Sequence, residues 1–299
     1  MESPIDCDLS STCFIQQYMD RDPGTGAQDY TCAGLSYDGH KGTDFALPSR
    51  AMMAAGVTVR ASAAGVVMGV RDGMSDAGFT ADNAADIEGR ECGNGVRIDH
   101  ANGWTTQYCH LKQGSLVVRQ GQTVAAGDPL GEVGQSGRAA FPHVHLSLRK
   151  NGVPTDPFDS DDTLACNTPG DSSLWVDTPV YRPGGLIAVG FSDAVPDYAS
   201  IKEGTADADG LTTNAPALVI WGYSFGTRAD DIMRLSLDGP DGIIIADDVV
   251  MTKPQAQAFR AIGKKRRNAP WPAGAYVGTV TLIRAGKTIE QRKTEITLH

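Results

Sequence analysis

Gly95-Val-Arg-Ile-Asp99 and Trp104-Thr-Thr-Gln-Tyr108, joined across Asn102-Gly103, decide the fold. Each run alternates apolar and polar positions, as a strand with one buried face does. Asn-Gly tolerates the positive φ angles of a tight hairpin turn. The stretch therefore reads as an antiparallel hairpin. Further strand-like runs lie outward from it: Leu116–Arg119, Asp128–Val133 and His143–Arg149, each bounded by Gly or Pro. Upstream, Val57–Val70 alternates loosely and reads as strands around a turn, and residues 7–50 read as loop with short strands. No convincing amphipathic helix occurs here, so this part is predicted to be mostly antiparallel β. One segment breaks the pattern. Residues 72–91 hold Asp72, Asp76, Asp82, Asp86, Glu88 and Glu91 against Arg90 alone. They read as a long acidic insertion with a short helix near 81–88, either functional or a solvated excursion.

The 299 residues are enough for two domains, and the composition splits them. Residues 1–166 carry 12 basic and 21 acidic side chains, a net of −9, and residues 167–299 carry 14 and 15, a net of −1. All six cysteines and five of the six histidines fall in the first part. A net charge of −10 argues against a nucleic-acid partner. No apolar run is long enough for a transmembrane segment. Residues 167–182, rich in Pro, Ser, Thr and Asp, read as a linker. Beyond it come seven strand-like runs: Leu186–Phe191, Leu218–Tyr223, Ile232–Leu237, Gly242–Ala246, Ala256–Ile262, Tyr276–Ile283 and Thr288–Leu298. Such spacing predicts a small β-sandwich. Trp271–Tyr276 and the strand after it resemble the last hairpin of bacterial immunoglobulin-like modules. The basic run Lys264-Lys-Arg-Arg267 reads as a solvated loop, with contact to an anionic partner as the alternative.

Six cysteines without a Cys-x-x-Cys pair favour an oxidised framework over free thiols, and hence an exported protein. They allow 15 pairings. Cys92–Cys109 is favoured because the two flank the hairpin, and Cys7–Cys13 would close a short N-terminal loop. That leaves Cys32–Cys166. No signal peptide is visible, so the chain reads as a mature form, with its first six residues an addition to it.

Three motifs carry chemistry. In His40-Lys-Gly-Thr-Asp44, Gly42 and the strand-like residues from Asp44 to Pro48 argue for a loop entering a strand, with imidazole and carboxylate able to converge. In His143-Val-His145, positions i and i+2 of a strand share a face, so both imidazoles point one way while Val144 and Leu146 pack. In Tyr108-Cys-His-Leu111, His110 sits at the end of a hairpin strand. Four of the six histidines fall in these motifs.

In this order the motifs resemble the LytM/lysostaphin-type zinc endopeptidases, which have a duplicated hybrid motif fold. Gly93–Gly103 looks like the family's central hairpin. Gly121-Gln-Thr-Val124, Gly127-Asp-Pro-Leu-Gly131 and Gly134-Gln-Ser-Gly137 are similar to the family too. The resemblance covers about residues 38–158 and none of 167–299. It implies that His40, Asp44 and His145 hold zinc and that His110 and His143 are the catalytic histidines. Two departures stand out: Leu146-Ser147 replaces the Phe-Glu of many relatives, and Cys109 precedes His110 where a small residue is common.

The expected fold class is therefore mainly β: an antiparallel β-sheet metallopeptidase domain over 1–166, a linker over 167–182, and an immunoglobulin-like β-sandwich accessory domain over 183–299. The resemblance implies a zinc-dependent endopeptidase acting on peptidoglycan stem peptides or cross-links, in the periplasm or secreted. The alternatives are a non-catalytic binding or activator module on the same scaffold and a zinc protease of secreted proteins. The C-terminal domain, with no clustered ligand residues, is expected to bind or space, with a protein partner possible through it.

Overall fold

The computed structural model describes residues 1–161 and 172–299. The chain forms two compact units, Met1–Tyr181 and Arg182–His299.

The first unit is built on a twisted antiparallel sheet. Its strands are β1 (Phe14–Gln17), β2 (Thr43–Ala46), β3 (Thr58–Arg60), β4 (Gly65–Arg71), β5 (Asn94–Asp99), β6 (Trp104–Leu111), β7 (Thr123–Val124), β8 (Pro129–Glu132), β9 (His143–Lys150) and β10 (Val153–Pro154). The main sheet runs β1-β2-β9-β6-β5-β4-β7, with β10 paired to β9, and β3 and β8 form a separate pair. The hairpin read from Asn102-Gly103 is β5–β6, and Asn102 has the expected positive φ of 60°. One face of the sheet is the core. Phe45, Ile98, Tyr108, Val144 and Leu146 are fully buried on it. Cross-strand pairing sets Phe45 opposite Val144 and Tyr108 opposite Leu146, so the three strands that bear the motifs share one packed layer.

Two elements differ from expectation. Leu116–Arg119 is not a strand. Turns at Gly114 and Gly121 hem it in, Val117 is 63% exposed, and the Val117 N–H donating to the Leu130 carbonyl is its one ladder-like bond among the described residues. A short helix α1 (Arg50–Ala55) was not foreseen. Ser49 caps it, its hydroxyl accepting from the Met52 N–H at 3.2 Å, but six residues with no buried face leave no periodic signal. In the acidic insertion, the helix expected near 81–88 is α2 (Ala84–Ile87).

Of the linker expected at 167–182, residues 167–171 lie outside the described residues. Residues 172–181 pack on the first unit. Trp175 is buried, 6.0 Å from the Phe45 ring and 5.4 Å from Phe158. Leu174 N–H donates to the Pro157 carbonyl at 3.0 Å, and the Tyr181 hydroxyl donates to Asp29 at 2.8 Å. The polar composition hid one Trp and one Tyr whose burial outweighs it. At the other end, Ile5 is buried and bridges Val59. The Cys92–Cys109 and Cys7–Cys13 disulfides form as expected, while Cys166, the expected partner of Cys32, lies outside the described residues.

The second unit is a two-sheet β-sandwich made of all seven expected strands: β11 (Gly185–Ser192), β12 (Ala217–Thr227), β13 (Ile232–Gly239), β14 (Gly242–Val250), β15 (Gln255–Lys265), β16 (Gly274–Arg284) and β17 (Lys287–Leu298), with a short helix α3 (Tyr198–Glu203) after the first. The sheets are β11-β12-β15 and β14-β13-β16-β17. Strands one, two and five thus form one sheet and strands four, three, six and seven the other, a two-sheet sandwich in which strand four sits beside strand three. Leu218, Ile220, Met233, Leu235, Tyr276 and Val280 form the centre of its core.

Candidate metal and catalytic centre

The sheet register brings the motifs together. Asp44 on β2 lies directly opposite His145 on β9, and Ala46 lies opposite His143. Directly opposed residues share a face, so Asp44, His143 and His145 project from the side away from the core. Close approach of the His40–Asp44 segment needs Gly42. A Cβ there would lie 2.5 Å from the Leu146 carbonyl oxygen and 2.6 Å from His145 Nε2.

His110 reaches the same face by a different route. Its neighbour Cys109 is paired opposite His145, and simple alternation would send His110 to the other side. A φ of +66° breaks the alternation. The His110 N–H donates to the Cys92 carbonyl at 2.8 Å, and the Cys92–Cys109 disulfide ties the two segments at this point. The His110 ring then lies 4.6 Å from that of His143 and 6.0 Å from that of His145.

Ring orientation follows from which nitrogen is occupied. His40 Nδ1–H donates to the Tyr18 carbonyl at 2.7 Å, leaving Nε2 to face inward. His145 Nε2 is 3.0 Å from the Ser147 hydroxyl, which turns Nδ1 inward, so the serine that departs from the common family pair orients a site imidazole. Three atoms converge: His40 Nε2, Asp44 Oδ1 and His145 Nδ1. Their separations are 3.2 Å from His40 to Asp44, 3.2 Å from His40 to His145 and 2.8 Å from His145 to Asp44. Ligands about 2.0–2.1 Å from a tetrahedral zinc stand on the order of 3.3 Å apart, so two imidazoles and one carboxylate oxygen at this spacing fit one zinc ion. Among the described residues this is the one group of three such side chains close enough to hold a metal.

His110 and His143 flank this group. His110 Nδ1–H donates to the Ser136 carbonyl at 2.8 Å and His143 Nδ1–H to the Phe141 carbonyl at 2.8 Å, so each keeps Nε2 unspent. His143 Nε2 is 3.5 Å from Asp44 Oδ1. Burial would raise the Asp44 pKa, but the His40 and His143 charges and hydrogen bonds from His145 and His40 hold it well below the usual carboxylate range. Burial pulls against protonation of His40, and Asp44 overcomes it, so that pKa rises. Burial pushes His110 well below the ordinary imidazole value, helped by His143 and His145. Burial also lowers His143, with Asp44 opposing.

Side chains that carried no motif signal complete the surroundings. Tyr37, 49% exposed, stacks on His40 with ring centroids 4.4 Å apart. Phe141 lies 4.5 Å from His143. Phe79, from the acidic insertion, donates its N–H to the Ala139 carbonyl at 2.8 Å, next to the segment that holds His110. A lone aromatic in a loop has no periodic partner, so nothing local marked these three.

A buried carboxylate among imidazoles whose outer nitrogens are all anchored, with further imidazole nitrogens left free beside it, is the make-up of a hydrolytic centre rather than a structural one. Residues 38–157 match the model of Peptidase family M23, so this part of the chain is an M23 peptidase domain. The DD-carboxypeptidase/endopeptidase Mpg of Neisseria meningitidis serogroup B is 38% identical over 120 residues, 40% of this chain and 22% of that protein. The peptidoglycan DD-endopeptidase ShyA of Vibrio cholerae serotype O1 is 32% identical over 130 residues, 44% of this chain and 25% of that protein. The matched region thus spans about a quarter or less of these relatives' length. The catalytic domain of the prophage-encoded M23 protein EnpA from Enterococcus faecalis is 26% identical, with a TM-score of 0.33, covering 48% of this chain and 84% of that one. The assignment of this domain rests on the family model and the sequence relatives.

Proposed function

We propose that the protein is a zinc-dependent endopeptidase that hydrolyses peptide bonds in peptidoglycan stem peptides or cross-links. The observation that carries this is the convergence of His40, Asp44 and His145 on one point, with His110 and His143 presenting unspent nitrogens beside it. His40 Nε2, Asp44 Oδ1 and His145 Nδ1 would hold the ion. Bound there, zinc would supply a Lewis acid that acidifies water and polarises the scissile carbonyl. Three protein ligands leave a fourth position open, as catalytic sites require.

The remaining work falls to the chain. The Tyr18 carbonyl and the Ser147 hydroxyl keep the two ligand imidazoles in the tautomers that point their free nitrogens inward. His110 and His143 divide two tasks between them, accepting the proton of the attacking water and stabilising the oxyanion that forms on the substrate carbonyl. Peptidoglycan as substrate is supported by the relatives named above. The disulfides support an oxidising compartment, periplasmic or extracellular.

The test is a digest of purified peptidoglycan, with mass analysis of the muropeptides released. New peptide ends that disappear on chelation and return on adding zinc are expected. An unchanged muropeptide profile with zinc-loaded protein would refute the proposal.

A further inference from the structure

Arg138 lies two residues after Ser136, whose carbonyl anchors His110, and five before His143. Its backbone is fixed. The Arg138 N–H donates to the Glu91 carbonyl at 2.8 Å. The preceding Gly137 has a φ of +74°, and a Cβ there would lie 2.4 Å from the same carbonyl oxygen, so only glycine lets the loop close on this segment. The following Ala139 accepts the Phe79 N–H. The guanidinium lies over the Phe79 ring, 5.2 Å from its centroid, a cation–π contact that holds the head group without neutralising it.

The neighbourhood is acidic, yet Arg138 makes no salt bridge with any of the described residues. Two insertion carboxylates are already engaged by backbone. Asp76 accepts the N–H groups of Gln113 and Gln135, both at 2.9 Å, and Asp72 accepts that of Gly114 at 2.8 Å. Glu88 and Glu91 line the cleft beside Phe79 and Arg138 without pairing to it. Its place in the chain, between the Ser136 carbonyl that holds His110 and the strand that begins at His143, sets Arg138 beside the centre. An exposed, pinned and unpaired guanidinium at the rim of a peptidase centre is a ready receptor for a carboxylate, which its planar fork can grip through two hydrogen bonds.

We propose that Arg138, held over Phe79, is a carboxylate-binding residue that selects peptides with a free carboxyl group close to the bond cleaved. This rests on the peptidase reading and adds a substrate class to it. The interaction engages a part of the substrate that does not react, so it is expressed mainly in KM.

The test uses the full chain and two probes: cross-linked muropeptides with free carboxyl groups, and the same muropeptides with those groups converted to amides. The wild-type protein is expected to prefer the carboxylate probe about tenfold in kcat/KM, the size of one exposed charge-assisted contact. Arg138→Ala should bring that ratio to about one, with the change carried by KM. Arg138→Lys should fall between, because it keeps the charge and loses the fork. Equal KM values for the two probes in the wild type, or an equal loss on both in Arg138→Ala, would overturn the proposal. Calorimetric binding of both probes to the His110→Ala protein separates the two claims. A carboxylate preference in binding without any wild-type hydrolysis counts against the peptidase reading and for the Arg138 subsite. Binding that does not distinguish the probes counts against the subsite alone.

Discussion

At the scale of single residues the centre divides, on the proposed reading, into ligands, the three donors of His40, Asp44 and His145 that lie within 3.2 Å of one another, and catalysts, His110 and His143 beside them. His145→Ala removes one of three converging donors, so zinc and turnover should fall together. His110→Ala removes none, and zinc should stay near one per chain while turnover falls roughly 10²–10⁴-fold, the range of a lost general acid or base. Elemental analysis alongside hydrolysis rates checks this. Zinc lost from His110→Ala yet retained by His145→Ala would mean the roles are exchanged.

At the scale of elements, the acidic insertion acts as a brace. Asp76 bridges two backbone N–H groups, one on each side of β8: Gln113 after β6, and Gln135 beside the Ser136 carbonyl that holds His110. Asp76→Ala strips both charge-assisted bonds and should cost about 2 kcal/mol in urea denaturation. It should also lower turnover, although it touches no ligand, because the segment that orients His110 loosens. If stability falls with turnover untouched, the brace is structural only. The β5–β6 hairpin makes the complementary contribution. Its disulfide and the Cys92 carbonyl stabilise a backbone angle at His110 that a non-glycine residue rarely adopts.

At the scale of the whole molecule, the two units are compact in their own right. A fragment of residues 1–181 should fold cooperatively and bind zinc. One ending at 166 should be less stable by roughly 3–5 kcal/mol, the range for losing a buried Trp, because it lacks Trp175 on Phe45 and Phe158. Equal denaturation midpoints for the two fragments would show that this packing contributes nothing.

The first unit also carries a pH dependence. Burial pushes the Asp156 carboxyl up to about 7, with Asp159 and Asp29 adding to the effect and the Phe158 N–H and Arg21 opposing it. The folded value lies above the ordinary 3.8. The stabilising contribution is therefore complete below about pH 3.8 and is lost as pH rises through about 7. Its size is on the order of 4 kcal/mol. Denaturation at pH 5 and pH 8 should show the wild type losing stability relative to Asp156→Asn. Parallel losses in the two proteins would refute the assignment.

The strands β4, β5, β6, β8 and β9 of the first unit, the seven strands of the second, the Asn102-Gly103 turn, the Cys92–Cys109 pairing and the shared face of His143 and His145 were all legible along the chain. Each depends on alternation, turn chemistry or spacing over a few residues, and such local preferences survive in a linear reading. The meeting of His40 and Asp44 with a histidine more than a hundred residues away was legible only as a resemblance, since sheet register decides it. What stayed hidden depends on contacts between segments. His110 turns onto the working face through a positive φ that its neighbours stabilise. Trp175 and Tyr181 pack back from a stretch whose composition reads as a linker. Tyr37, Phe79 and Arg138 lie in loops with no periodicity, and only the folded sheet, by fixing where those loops begin and end, sets Tyr37 on His40 and Phe79 under Arg138.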